Sequence, residues 1–86
     1  MCAPCKVILD EAAAAYFEGG NVDAALARAC AAQVGQFDDA TQNAMSRLDL
    51  WLLRQPDANL ARKEWRGRLF AILDKFAGGA LFQGED

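Results

Sequence analysis

The residues of this chain best suited to chemistry are its three cysteines, Cys2, Cys5 and Cys30. Cys2 and Cys5 form a Cys-x-x-Cys motif at a predicted helix start, where the helix dipole stabilises a thiolate and lowers its pKa. The motif predicts a thiol redox pair, or a metal site that adds Cys30 and a carboxylate, an uncommon set of ligands. The alternative is that Pro4 suits the first turn of a helix and the cysteines have no chemical role. Cys30 lies on an apolar stripe and is expected to be a small buried hydrophobe.

The other residue types of catalytic sites are scarce. The chain has no histidine, one serine (Ser46), one threonine (Thr41) and one tyrosine (Tyr16). A Ser-His-acid or Cys-His nucleophile therefore cannot be built. The acid pairs Asp10-Glu11 and Asp38-Asp39 are adjacent in sequence, and neighbouring helical residues diverge by about 100°. No glycine-rich phosphate loop with a lysine is present. We expect no enzymatic activity, no cofactor and no bound metal.

The first sixteen residues contain a resemblance to a known redox family. Cys2-Ala3-Pro4-Cys5-Lys6, followed by Ile8-Leu9-Asp10-Glu11 and Tyr16, resembles the active-site helix of the thioredoxin family. The resemblance implies that Cys2 is the attacking thiol and Cys5 the resolving thiol. The sheet and the cis-proline loop of that family have no counterpart later in the chain, so the resemblance does not extend to the fold.

The basic segment 54–68, together with two tryptophans, suggests a nucleic-acid surface as an alternative. The residues concerned are Trp51, Arg54, Arg62, Lys63, Trp65, Arg66 and Arg68. On a helical wheel the bases flank both sides of an apolar stripe and do not form one continuous basic face. The net charge of the chain is −3. We therefore do not expect nucleic-acid binding.

The elements that position these residues are all helical in our prediction. Apolar residues recur with helical spacing, and no stretch alternates with a period of two. Gly19-Gly20 ends one helix and Asn21 caps the next, while Asp39 and Gln42 read as a capping box. The sequence predicts one all-α domain over 1–86, a small bundle built on an alanine-rich N-terminal hairpin. The four expected helices lie at about 5–18, 22–34, 39–54 and 57–77, followed by a tail over 78–86.

Three of these helices carry a predicted core stripe. In the first it is Leu9, Ala13, Tyr16 and Phe17; in the second, Val22, Ala25, Leu26, Ala29 and Cys30; in the fourth, Trp65, Leu69, Ile72, Leu73 and Phe76. Each set recurs at three- and four-residue spacing, which places it on one helix face.

The N-terminal hairpin has a resemblance of its own. Residues 9–34 are similar to one tetratricopeptide repeat at Ala13, Tyr16, Gly20, Asn21, Asp23, Ala25, Leu26, Ala29 and Ala32. The resemblance implies a helix–turn–helix that binds partner peptides. Residues 37–70 do not repeat the pattern, and stable arrays need about three repeats.

The third helix suggests that the protein associates. Leu50, Trp51, Leu52 and Leu53 are consecutive and cover most of the circumference of a helix, more apolar surface than a small bundle buries. We predict an interface formed by Leu50, Leu53, Phe70, Leu81 and Phe82. The predicted function is a non-enzymatic protein–protein interaction module, an adaptor, assembly subunit or regulator. Its partner would be another protein or a second copy of the chain.

The sequence also bears on location. No basic segment precedes an apolar run at the start, so we expect no signal peptide. No apolar run approaches the roughly 20 residues of a membrane span, so we expect no membrane contact. An odd number of cysteines is not a disulfide framework, which favours a reducing cytoplasmic setting.

Overall fold

The described part of the protein is a bundle of four α-helices. A computed structural model describes residues 3–77, and the predicted site residues Cys2, Leu81 and Phe82 lie outside this range. The helices of the described residues are α1 (Ala3–Phe17), α2 (Val22–Gln33), α3 (Asp39–Leu53) and α4 (Ala58–Phe76), with one turn of 3-10 helix at Val34–Gln36. The described part of the chain contains no strand. The predicted all-α fold class is confirmed.

The connection between α1 and α2 has the predicted chemistry. Gly19 adopts a positive φ of 73°, a conformation that glycine takes without strain. The amide of Gly20 donates to the carbonyl oxygen of Ala15 at 2.8 Å and so satisfies an orphan acceptor of α1. Asn21 caps α2, because its side-chain oxygen accepts from the amide of Ala24 at 3.0 Å. These contacts fix the tight reversal between the two helices.

The start of α3 differs from the prediction. Asp38, in extended conformation, is the N-cap, and its Oδ1 accepts from the amide of Thr41 at 2.8 Å. Asp39 already lies within the helix, so the predicted capping box of Asp39 and Gln42 is wrong by one residue. The Gln42 side chain instead donates to the carbonyl oxygen of Phe37 at 2.8 Å. Hydrogen bonds from Thr41 hold the pKa of the Asp38 carboxyl below its usual value.

The core lies between two helical hairpins, α1 with α2 and α3 with α4. Its buried members come from every helix and from the loop before α3: Cys5, Ile8, Ala12, Leu26, Ala29, Phe37, Met45, Leu48, Trp65, Leu69 and Leu73. Phe37 meets Phe76 edge to face, with ring centroids 4.8 Å apart. The loop residue therefore ties the end of α4 to the start of α3.

The predicted stripes of α2 and α4 are largely confirmed. In α2, Ala25, Leu26 and Ala29 are buried, and Val22 and Cys30 are half-buried against the core. In α4, Trp65, Leu69 and Leu73 are buried, with Ile72 and Phe76 half-buried beside them. Large side chains mark the inner face of α4 without ambiguity, which is why the pattern identifies it.

The predicted stripe of α1 is wrong. The structure buries Cys5, Ile8 and Ala12, while Tyr16 and Phe17 are exposed. The true stripe lies roughly a quarter-turn away from the expected one. The small side chains of Cys5 and Ala12 allow close approach to the alanines of α2, and the larger aromatic rings stay in solvent.

Candidate interaction surface

The outer face of α3 carries the predicted interface residues Leu50 and Leu53. Leu50 is 51% exposed and Leu53 is 81% exposed. The buried side of α3 is formed by Thr41, Met45 and Leu48, and at 100° per residue Leu50 lies on the opposite side of the helix. Trp51 and Leu52, between them in sequence, are half-buried. The four consecutive apolar residues thus divide between the core and solvent.

The surroundings of Leu50 are polar. It lines a shallow depression of about 250 Å³ together with Asn43, Ser46 and Arg47. Arg54, which ends α3, is exposed on the same side. We call the set Arg47, Leu50, Leu53 and Arg54 the α3 outer face. It combines apolar side chains with a cationic edge.

Of the other predicted interface residues, only Phe70 lies within the described range. Phe70 is half-buried and packs against the core, so its side chain is not part of the α3 outer face. Leu81 and Phe82 lie outside the described residues.

Sequence reasoning missed several exposed apolar side chains, of which Phe17, Tyr16 and Leu60 are the most exposed. Leu60, in the first turn of α4, is 68% exposed, and Phe17 is 83% exposed. Tyr16 packs edge to face on Phe17, with centroids 5.4 Å apart. The exposure of Leu60 is predictable from the sequence, because on a helical wheel it lies about 140° from Trp65, a residue of the predicted core stripe. No comparable signal existed for Tyr16 and Phe17, which fit a one-face template together with Leu9.

Some basic residues of the segment proposed for nucleic acid are exposed, and others contact side chains of the protein itself. Arg54, Arg62 and Lys63 are exposed. The Nε of Arg66 lies 3.1 Å from Oδ1 of Asp23 on α2, and both atoms are shielded from water. This ion pair lacks hydrogen-bond geometry but connects the two hairpins. Arg66 is therefore engaged within the chain, unlike the exposed Arg62 and Lys63.

Trp51 and Trp65 also contact other side chains of the protein. Trp65 is buried in the core, and its indole Nε1 donates weakly to Oδ1 of Asp49 at 3.4 Å. The guanidinium of Arg68 covers the ring of Trp51, 4.4 Å from its centroid, and also pairs with Glu64, with Nε 2.9 Å from Oε2. The aromatic faces on which bases would stack are thus occupied within the chain.

The cysteines occupy different surroundings. Cys5 is fully buried and disulfide-bonded, and its Sγ lies 4.0 Å from the carbonyl oxygen of Leu73. Cys30 is a free thiol in a cleft of about 220 Å³ that Met45, Asp49 and Trp65 also line. Burial, and secondarily the charge of Asp49, raises the pKa of Cys30 to about 11. The thiol is therefore protonated at neutral pH and a poor nucleophile.

Within residues 3–77 the structure contains no group of three or more histidine, cysteine or acidic side chains that could hold a metal ion. The three-thiolate site considered from the sequence also needs Cys2, which lies outside the described residues. None of the described helices is both long enough and apolar enough to cross a bilayer.

Comparison with protein-family models, with curated proteins and with solved structures finds no match for this chain. The two local resemblances therefore rest on the residues quoted for them.

Proposed function

We propose that this protein is a non-enzymatic protein–protein interaction module that acts through the α3 outer face. The observation that carries the proposal is the exposure of Leu50 and Leu53, neighbours at i and i+3 on one side of a helix. Fully burying an exposed leucine is worth about 1.5–3 kcal/mol, of which Leu53, 81% exposed, can supply most and Leu50, 51% exposed, about half. A pair of them therefore supplies a substantial part of the free energy that a specific contact needs.

The composition of the surface supports the same function. Interfaces are typically apolar at the centre and polar at the rim, with arginine enriched. On α3, Leu50 and Leu53 form the apolar part, and Arg47 and Arg54 border it. A single exposed leucine would be ordinary, whereas two adjacent ones with an arginine edge form a patch.

The alternative functions have less support from the described residues. The redox prediction concerns Cys2 and Cys5, of which only Cys5 lies within the described residues; it is disulfide-bonded and fully buried, so its sulfur is shielded from an external substrate. A nucleic-acid role would need one continuous basic face, but Arg66 pairs with Asp23 and Arg68 covers Trp51, which leaves only part of the basic segment for phosphate contacts. Binding through the α3 outer face uses side chains that take part in none of these contacts.

The experiment is a mass measurement by light scattering across micromolar to submillimolar concentrations. We expect at least twice the 9.3 kDa of one chain, or a second protein that co-purifies with the untagged chain from its source. Leu53→Glu should lower the mass or release the partner, because it places a charge at the contact. Leu60→Glu is the matched control, with the same substitution at a leucine of similar exposure on α4, and should change nothing. A chain that stays at 9.3 kDa and recovers no partner would refute the proposal.

A further inference from the structure

The outer face of α1 has the chemistry opposite to that of the α3 outer face. Cys5, Ile8 and Ala12 are buried, so Ala14 points away from the core, and Phe17 lies on the same outer side at 83% exposed. Glu11 and Glu18 are exposed along one edge of this stripe. We call Glu11, Ala14, Phe17 and Glu18 the α1 outer face. It combines apolar side chains with an anionic edge.

The spacing of the charges on the two faces is the same. Glu11 and Glu18 are seven residues apart, as are Arg47 and Arg54, which corresponds to about 10.5 Å along each helix axis. The outer members, Glu18 and Arg54, are the first residues past the ends of α1 and α3. The amide of Glu18 donates to Ala14 at 3.0 Å, and that of Arg54 to Trp51 at 3.1 Å. A seven-residue repeat is the spacing at which two helices pack along a common seam.

The four charges are also available. The ion pairs found within residues 3–77 join Lys6 to Asp10, Asp23 to Arg66 and Glu64 to Arg68, and use none of them. The asymmetry extends beyond the two faces. Residues 3–33 carry two basic and four acidic side chains, whereas residues 38–76 carry seven basic and six acidic ones. The hairpin of α1 and α2 is therefore net acidic and that of α3 and α4 slightly basic.

We infer that the partner of the α3 outer face is the α1 outer face of a second copy of this chain. The helices run antiparallel, with Glu18 opposite Arg47 and Glu11 opposite Arg54. In the seam between them, Leu53 packs over the small Ala14, and Phe17 packs beside Leu50. Used once per copy, this contact is heterologous and builds a ring or a chain; used reciprocally, it closes a two-fold dimer.

The inference rests on the proposed function, because it names the partner of the surface proposed there. It also explains a feature that the fold leaves open, namely why Phe17 is held in solvent at the end of α1. A second copy supplies both the apolar cover for Phe17 and the cations for its acidic neighbours.

The test reverses the charges of each face separately. Arg47→Glu with Arg54→Glu leaves the α1 outer face intact but opposes acid to acid. Glu11→Arg with Glu18→Arg leaves the α3 outer face intact but opposes base to base. We expect each double variant alone to self-associate at least about tenfold more weakly than the wild type in a dilution series followed by light scattering. Mixing the two at equal amounts should restore association, as should all four substitutions in one chain.

Two controls accompany the test. Arg62→Glu with Lys63→Glu changes the net charge by the same amount as the Arg47/Arg54 double variant, but on exposed residues of α4. It should keep the wild-type mass. Circular dichroism at 222 nm should show that every variant retains its helix content.

The outcomes separate this inference from the function on which it rests. If Leu53→Glu dissociates the protein but the Glu11/Glu18 variant keeps the wild-type mass, α1 is not the partner and the inference is overturned, while the proposed function stands. Failure of both the mixture and the fourfold variant to recover association would also overturn it. Wild-type protein that is monomeric throughout the concentration range overturns it as well, and co-purification then decides the proposed function alone.

Discussion

Replacing Trp65 by alanine should remove a large part of the stability of this protein. Trp65 is 5% exposed and lies among the buried residues of the core. A buried tryptophan removes roughly 150–250 Å² from water, which at about 25 cal/mol per Å² corresponds to about 4–6 kcal/mol. Alanine retains a small part of this, and large-to-small core substitutions of aromatic residues cost about 3–5 kcal/mol. A chain of this length is stable by about 4–13 kcal/mol in total.

Trp51 provides the matched comparison. Its ring is half-buried and covered on one side by Arg68. Trp51→Ala should therefore cost about 1–2 kcal/mol, of which the cation–π contact accounts for about 0.5–1 kcal/mol. Urea unfolding followed by circular dichroism at 222 nm measures both variants without relying on tryptophan fluorescence. If Trp65→Ala does not fold, Trp65→Phe keeps part of the ring volume and gives a measurable fraction of the loss. A cost for Trp65→Ala no greater than that for Trp51→Ala would refute the assignment of Trp65 to the core.

Two further predictions concern charged and titratable groups. Because the pKa of Cys30 is raised from 9.0 to about 11, alkylation of Cys30 at pH 7.5, located by mass spectrometry, should be about a hundredfold slower in the folded than in the urea-unfolded protein. The folded state binds this proton more tightly than the unfolded state, so the free energy of unfolding should fall between about pH 9 and 11. Cys30→Ala should remove that fall. Equal alkylation rates in the folded and unfolded protein would contradict the raised pKa. A double-mutant cycle on the shielded Asp23–Arg66 pair should give a coupling of about 1 kcal/mol, against about 0.3 kcal/mol for the exposed Lys6–Asp10 pair; similar values would mean that the shielding of the first pair has no energetic effect.

The parts of the fold that the sequence predicts well are those marked by large side chains or by a cap. The inner face of α4 follows from Trp65, Leu69 and Leu73, because few other arrangements would cover so much apolar surface. Asn21 and Gly19 define the first turn through a side-chain acceptor and a positive φ. In each case one local feature excludes the competing conformations.

At the start of α3, two adjacent aspartates make the N-cap residue hard to predict from the sequence. Asp38 and Asp39 can both cap a helix, and Gln42, three residues after Asp39, favours the wrong one of the two. The structure selects Asp38, whose side chain reaches the amide of Thr41, and Gln42 turns to the carbonyl of Phe37. The deciding factor is the loop before the helix, which packs Phe37 against Phe76 and is a long-range contact that local patterns do not contain.

The rotation of α1 has a different cause, and it bears on the function. An alanine-rich helix has apolar residues on every side, so periodicity alone supports more than one inner face. The structure resolves the choice in favour of close packing, since small residues let α1 approach α2, and this leaves Phe17 outside. On a helix with a single clear stripe, an exposed aromatic residue would be an isolated exception. Here it lies on a second apolar stripe with Glu11 and Glu18 along its edge, which is the arrangement expected of a helix that packs inward on one side and against another chain on the other. The same property that makes the orientation of α1 hard to predict thus gives the helix two faces to pack.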